Sequence, residues 1–372
     1  MSGGSTTLRN AAFAVAAVCL SLALGLAVAE LSLRVYHLQK YGIGLLNDAN
    51  HGLITSDARL GWKMSPDLRY RITARDALDR ACEISVATDA RGFRTFGDTS
   101  SNKAKLLVIG DSFTAAVEVS NDKTYHGLIK ELARDVEVFA YGAGGYGSLQ
   151  EFMILDEYVD LIKPDLIVWQ FHENDFLDND PELDILRFAY NSGTPRPYLG
   201  PGGDITHRYA TYGNLFWVLP RVVSDNLRLL KILNNRLSLA LNRRSGTGLP
   251  PAAETAWPEA ARKAFARSEA TTGAIMRMVG ERAGKTPVYL FSVTDRQPYS
   301  AAIRRICQSA GIRFIEGVPQ ALAQAESEER LGTKAADREH LNEKGNRIVA
   351  ERLLRFLIDA GITRSPGAPA RP

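Results

Sequence analysis

Three cysteines in 372 residues are too few for a disulfide framework, and one of them, Cys19, lies in an apolar stretch where a bridge would be out of place. Cys82 and Cys307 remain, far apart in sequence; a bridge between them and two separate buried thiols fit equally well. The six histidines are scattered and no Cys/His cluster has ligand spacing, so no metal centre is expected. No block of one charge sign exists either. The 45 basic and 42 acidic side chains are mixed along the chain and leave a formal charge of +3, which gives no reason to expect a nucleic-acid partner. The glycine-rich run Gly142 to Gly147 has no P-loop spacing, and no nucleotide or other cofactor is expected. There is no internal repeat. With 45% hydrophobic and 23% charged residues, the chain has the composition of a globular protein, and its length suffices for one sizeable α/β domain plus additions, or at most two domains.

The clearest long apolar run is Ala11 to Ala29, without a charged residue and flanked by Arg9 on one side and Glu30 and Arg34 on the other. At about 1.5 Å per residue it nearly crosses a hydrocarbon core of about 30 Å. It is read as a transmembrane anchor after a short tail over 1–10. Ala27-Val28-Ala29 also resembles a signal-peptidase site, so cleavage and secretion form the rival reading. Arg9 faces Arg34 and Lys40 across the segment, so charge does not fix orientation. A short tail before a first apolar segment usually stays inside, which places the remainder extracytoplasmic, in the periplasm or at the cell surface.

Residues 30–102 read as a helical stalk followed by a small β-rich accessory element, with alternation in Leu68 to Ile72 and Cys82 to Val86. From 103 to 361, apolar strand-like runs alternate with amphipathic helices. The strands expected are Leu106–Ile109, Val136–Phe139, Leu166–Gln170, Val288–Val293 and Ile312–Ile315. Leu149, Phe152, Leu155, Val159 and Ile162 recur at helical steps, as do Ile348, Val349, Leu353, Phe356 and Leu357. This pattern predicts an α/β doubly wound parallel sheet with ligands beyond the carboxyl ends of its strands. A long insertion over 177–286, read as a lid, interrupts it; Glu254 to Arg282 within it reads as a helix. The tail over 362–372, rich in Pro and Gly, is expected to be disordered.

Four segments carry chemistry. The first expected strand runs into Gly110-Asp111-Ser112-Phe113-Thr114, which exposes a serine at the sheet edge. A helix starting there would aim free N–H groups at an oxyanion. The same serine could merely cap that helix, and the turn is not a G-x-S-x-G elbow. Asp337-Arg338-Glu339-His340 precedes a helix for which Asn342 is a plausible cap. Aspartate and histidine three apart can hydrogen-bond, fixing the imidazole tautomer and leaving the other nitrogen to deprotonate a hydroxyl; a surface pair reads the same way. Gly142 to Gly147 and Phe171 to Phe176 follow the second and third strands and reach the same edge. They offer an unobstructed backbone N–H and the amide of Asn174.

Together these segments resemble the four blocks of the SGNH/GDSL hydrolases, and the resemblance spans roughly residues 103 to 360. Gly110-Asp111-Ser112 is similar to the first block, Gly145 in Gly144-Gly145-Tyr146 to the second, Asn174-Asp175 to the third and Asp337-x-x-His340 to the last. The resemblance implies a flavodoxin-like fold with Ser112 as nucleophile, His340 as general base and acid, and Asp337 as its orienter. It also implies an oxyanion hole made by the Ser112 and Gly145 amides and the Asn174 side chain. Asp111 and His172 are candidate substrate contacts. The chain departs from the family at Ser-Phe-Thr, at Ala140, where many relatives have asparagine, and at His172-Glu173. Ala90 to Arg94 resembles a stretch of membrane-anchored members and reads as structural. The implied substrate is a small-molecule or polysaccharide ester, with a cell-envelope acetyl ester favoured. Transfer to a sugar hydroxyl, or an inactive glycan-binding or assembly role, are the alternatives. Tyr190, Tyr198, Tyr209, Tyr212, Phe216 and Trp217 are candidates to stack on a sugar, line an acyl pocket or anchor the lid.

Overall fold

The structure is a computed structural model that describes residues 3–41, 45–46, 52–184, 195–208, 227–230, 232–233, 257 and 259–364. Its centre is a parallel sheet of five strands: β5 (Ala104–Gly110), β6 (Val136–Gly142), β7 (Leu166–Phe171), β10 (Val288–Ser292) and β11 (Arg313–Phe314). Their spatial order is β11-β10-β7-β5-β6. Counting only these five in chain order, that is 5-4-3-1-2, the flavodoxin-like order, with its reversal beside β5. Every strand expected for the sheet is present.

Alternation along the strands divides the core into two layers. Leu107, Ile109, Phe139, Tyr141, Ile167, Trp169 and Leu290 face one side, against α4 (Ser148–Ile162), α7 (Glu259–Ala283) and α8 (Tyr299–Ala310). Leu106, Val108, Val138, Val168 and Phe291 face the other. There they meet α3 (Tyr125–Leu132), α9 (Val318–Glu328) and α10 (Glu343–Asp359). The expected helices over 149–162 and 348–357 are α4 and α10.

One expectation needs correction. The stretch 177–286 was read whole as an insertion or lid, but its last part, α7, is a layer of the core. Ile275, Met276 and Val279 are fully buried in it, and each such side chain contributes about 2 kcal/mol of burial. This helix is the crossover between β7 and β10. What precedes it is smaller: α5 (Asn174–Asp178), α6 (Pro181–Asp184) and the hairpin β8 (Arg196–Leu199) and β9 (Ile205–Arg208). Tyr198 is buried and its hydroxyl donates to Asp184 Oδ2 at 2.7 Å, so it anchors this segment instead of facing a ligand. Tyr190, Tyr209, Tyr212, Phe216, Trp217 and the tail beyond 364 lie outside the described residues.

The amino-terminal helix α1 (Gly3–Tyr41) is one continuous element, so the expected anchor and stalk are collinear. It is long and apolar enough to cross a membrane, and Leu20, Leu22 and Leu24 are exposed along it. Its lower end meets the insertion, where the Glu30 carboxylate accepts from the backbone N–H groups of Arg228 and Leu229 at 3.1 and 2.8 Å.

The accessory element consists of two antiparallel hairpins, β1 (Ile54–Asp57) with β2 (Gly61–Met64), and β3 (Arg69–Arg75) with β4 (Ala81–Ala87). Tyr70, Ile72 and Ala74 alternate with exposed residues and pair across the ladder with Val86, Ile84 and Cys82. That leaves one apolar face turned inward. All three cysteines are free thiols; Cys307 is buried and Cys82 partly so.

Candidate active site

The sheet ends β5, β6 and β7 deliver three of the four motif segments to one edge. After Gly110 the chain turns sharply into α2 (Ser112–Ala115). A Cβ at Gly110 would stand 2.4 Å from both Gln170 Oε1 and Thr114 Oγ1, so only glycine allows this approach. Gln170 Oε1 accepts from the Asp111 N–H and the Thr114 hydroxyl at 3.2 and 2.9 Å, and Thr114 in turn meets the Tyr125 hydroxyl at 2.7 Å. The turn is thus held from three directions, which accounts for the threonine that departs from the family pattern.

Asp111 is completely buried, and its Oδ1 accepts from the Phe113 N–H at 2.9 Å as the cap of α2. A side chain so enclosed makes no substrate contact; the expectation for Asp111 is corrected to a turn-forming role. Burial raises its carboxyl above the ordinary range, opposed by the nearby rings of His172 and His340.

Ser112 itself is partly exposed, and its Oγ lies 2.8 Å from His340 Nε2. On the other side of the ring, Nδ1 hydrogen-bonds Asp337 Oδ2. Asp337 Oδ1 accepts from the N–H groups of Glu339 and His340, both at 3.0 Å, so the carboxylate closes its own loop while it holds the ring. Ser112 and His340, 228 positions apart, meet across the sheet edge as the sequence motifs require. Burial works against charge on His340, but the Asp337 hydrogen bond and the charges of Glu118, Asp337 and Asp111 outweigh it and raise the imidazole to about 9. Burial likewise opposes ionisation of Asp337, yet its contacts with His340 and the two backbone N–H groups lower it to about 2.

The oxyanion donors expected at this edge occupy two loops. Gly145 has φ +74°, a conformation that favours glycine, and leaves its backbone partly exposed. Trp62 of β2 donates its indole N–H to Gly144 O at 2.9 Å, and the Tyr146 hydroxyl donates to Trp62 O at 2.8 Å. The first accessory hairpin therefore fastens the glycine loop. Gly142, Gly144 and Gly147 also have the G-x-G-x-x-G spacing of a dinucleotide loop. Here that spacing serves packing: the buried Tyr146 and the Trp62 contact fix the loop against the hairpin.

Asn174 opens α5 and is nearly buried; its Nδ2 donates to Asp178 Oδ2 at 3.0 Å, and its Oδ1 bonds His172 Nδ1. One amide hydrogen is committed to Asp178 and a second remains. Arg196 of β8, fully buried, ion-pairs with Asp178 and Asp184, each at 3.0 Å, so the insertion supports the asparagine from behind. His172 is nearly buried as well. Its ring packs tilted against Phe113 at 4.8 Å between centroids, with Nε2 3.4 Å from Glu173 Oε2, and so it orients Asn174 more directly than it offers a substrate contact.

Two residues that the motifs did not single out complete the site. Arg94 was read only as part of a structural stretch. It is buried and donates to the carbonyl oxygens of Ala115, Ala116 and Val119, fixing the loop after α2. Glu118, on that loop, brings Oε1 to 3.6 Å from His340 Nδ1. No signal in the sequence marks Glu118, because its partner comes from the far end of the chain.

The loop bearing Asp337 and His340 is itself braced by the second accessory hairpin. Asp76 bridges to Ala335, the Ala77 N–H donates to Lys334 O at 3.2 Å, and Arg80 ion-pairs with Glu329 at 3.5 Å. Beyond the loop, Asn342 caps α10 by accepting from the Gly345 N–H at 3.1 Å, as expected. A cavity of about 770 Å³ lies between the hairpin and this loop and touches Asp337 and Glu118.

No family model matches the chain, and no curated relative does. Similar solved structures include a member of the lipolytic protein G-D-S-L family from Veillonella parvula (12% identity, 68% of this chain and 97% of that one, TM-score 0.36). Others are a lipase/acylhydrolase from Enterococcus faecalis (15%, 71% and 100%, TM-score 0.37) and the acetylxylan esterase Axe2 from Geobacillus stearothermophilus (13%, 69% and 94%, TM-score 0.37). Strand order gives this chain a flavodoxin-like doubly wound fold, with the serine turn after the first core strand and the late loop carrying aspartate and histidine meeting at its edge.

Proposed function

We propose that the chain is a serine esterase acting through an acyl-enzyme, with Ser112, His340 and Asp337 as its triad. The observation that carries this reading is the 2.8 Å contact between Ser112 Oγ and His340 Nε2, with Asp337 on the opposite nitrogen. His340 takes the Ser112 proton as Oγ bonds to the ester carbonyl carbon. The resulting oxyanion is met by the Ser112 and Gly145 amides and the free amide hydrogen of Asn174, and the leaving alcohol departs with the proton from His340. Water then attacks the acyl carbon, and the acid is released from Ser112. The substrate class is an O-acyl or O-acetyl ester on a cell-envelope carbohydrate. That choice rests on α1, read as a membrane anchor holding the domain on the extracytoplasmic side. A sugar hydroxyl in place of water would make the same intermediate serve a transferase.

The test uses the full-length chain in detergent with p-nitrophenyl acetate and a fluorophosphonate. Turnover and labelling are expected, with Ser112→Ala abolishing labelling and lowering kcat by roughly 10⁴-fold or more. Equal turnover in the variant removes the assignment. Offering an oligosaccharide acceptor with the same donor separates hydrolysis from transfer by where the acyl group ends.

A further inference from the structure

The Nδ1 side of His340 faces two carboxylates, not one. Asp337 comes from its own loop and Glu118 from the loop after α2, and one oxygen of each lies within 4.8 Å of the other and of the imidazole nitrogen. Glu118 has no competing ion pair among the described residues. Its Oε1 stands 3.6 Å from Nδ1, and its Oε2 is buried without a hydrogen-bond partner. The loop that presents it is tightly specified. Ala116 adopts φ +43°, and the buried Arg94 guanidinium gathers the carbonyl oxygens of Ala115, Ala116 and Val119. Such construction holds an acidic side chain against the imidazole when solvent would otherwise draw it away.

We propose that Glu118 is a positioning residue for the serine chemistry, a second carboxylate that shares the Nδ1 side of His340 with Asp337 and balances the charge formed there when Ser112 loses its proton. This rests on the serine-esterase reading. Asp337 is the more exposed of the two carboxylates, with 41% of its side chain accessible against 20% for Glu118, so solvent weakens its field on the ring more. The charged groups facing the imidazole are Glu118, Asp337 and the buried Asp111; those facing Glu118 are His340, Asp337 and Arg94. Burial raises the Glu118 carboxyl above its ordinary range, and a positive His340 opposes that rise. Its negative charge is therefore favoured when the imidazolium exists, which is the step that needs it. The three groups also have the spacing of a cation site, but Nδ1 already bonds Asp337, so a metal would have to break the contact that orients the ring.

The experiment reads the His340 ring directly. In the full-length Ser112→Ala chain with isotope-labelled histidine, the His340 resonances, assigned by their loss in His340→Ala, are followed against pH with and without Glu118→Gln. The midpoint is expected to fall by about 1 unit or more in Glu118→Gln. Glu118→Asp, which keeps the charge on a shorter arm, should lie between, and gives the same reading if the glutamine variant does not fold. An unchanged midpoint overturns the proposal. In the chain with Ser112 intact, the acid limb of kcat/KM should move to lower pH in Glu118→Gln while its plateau drops about tenfold. Glu118→Gln combined with Asp337→Asn should lose more than the product of the single losses. A purely structural Glu118 would lower thermal stability without moving either midpoint. Loss of activity with EDTA and its return with a divalent cation would assign the trio to a metal and also overturn the proposal. If Ser112→Ala leaves turnover intact, the esterase reading fails, while the titration still reports on Glu118.

Discussion

The serine turn and the histidine loop meet at one oxygen–nitrogen contact but are built in opposite ways. Asp111, Phe113, Thr114 and Ala115 are buried, and Gly110, Gln170, Thr114 and Tyr125 specify the turn from within the sheet. Residues 336–339, by contrast, are exposed, and their loop is held by its own aspartate, by the Asn342 cap and by a hairpin from outside the sheet. The proposed nucleophile therefore sits on the part of the molecule that is hardest to deform, and the proposed base on a part that can be deformed without unfolding the core. Stability and activity should fall together when the first region is altered, and separate when the second is.

The sharpest contrast is expected from Gly110→Ala and Asp337→Asn. A methyl group at Gly110 must displace Gln170 and Thr114, so the variant should lose about 3 kcal/mol of unfolding free energy in denaturant titration, together with most activity. Asp337→Asn should lose less stability at pH 7, only what the pairing with His340 supplies, while kcat falls by roughly 10²-fold or more. A large loss of stability in Asp337→Asn would erase the distinction. Next in size is pH dependence. Only neutral His340 can accept the Ser112 proton, so kcat/KM should rise about tenfold per pH unit and level off above about 9. A limb near pH 6.5 would mean that neither carboxylate acts on the ring. The stability linked to these groups runs in opposite directions. The His340 contribution is whole below its ordinary value of 6.5 and is lost as pH rises through about 9. The Asp337 contribution is present above its ordinary value of 3.8 and is lost as pH falls through about 2. The smallest effect is expected from Arg80→Ala, which removes ion pairs of a half-exposed arginine to Asp76 and Glu329. Its cost to stability should stay below about 1 kcal/mol, with a several-fold loss of kcat as the histidine loop loosens.

Much of the first region was legible in the sequence because its determinants are local. A short apolar strand, a glycine and a serine-bearing turn lie within a dozen residues, and strand polarity alone brings Gly145 and Asn174 to the same edge. The second region was legible only in its aspartate and histidine. Asp337 and His340 are three apart, but the hairpin that braces them and the Glu118 beside them come from more than 200 positions earlier, a distance that spacing cannot bridge. Asp111 misled for a related reason: a carboxylate beside a nucleophile reads as a contact until its burial shows a cap. α7 was misread because its apolar positions distinguish a helix from a strand, but not a core layer from a lid.

The brace between β3–β4 and residues 334–335 has one more consequence, for biogenesis. A ribosome finishes the hairpin some 250 residues before it makes the loop that rests there, so Asp76 and Ala77 spend most of translation without that partner. In this interval the serine turn exists but His340 does not, so the proposed triad is incomplete.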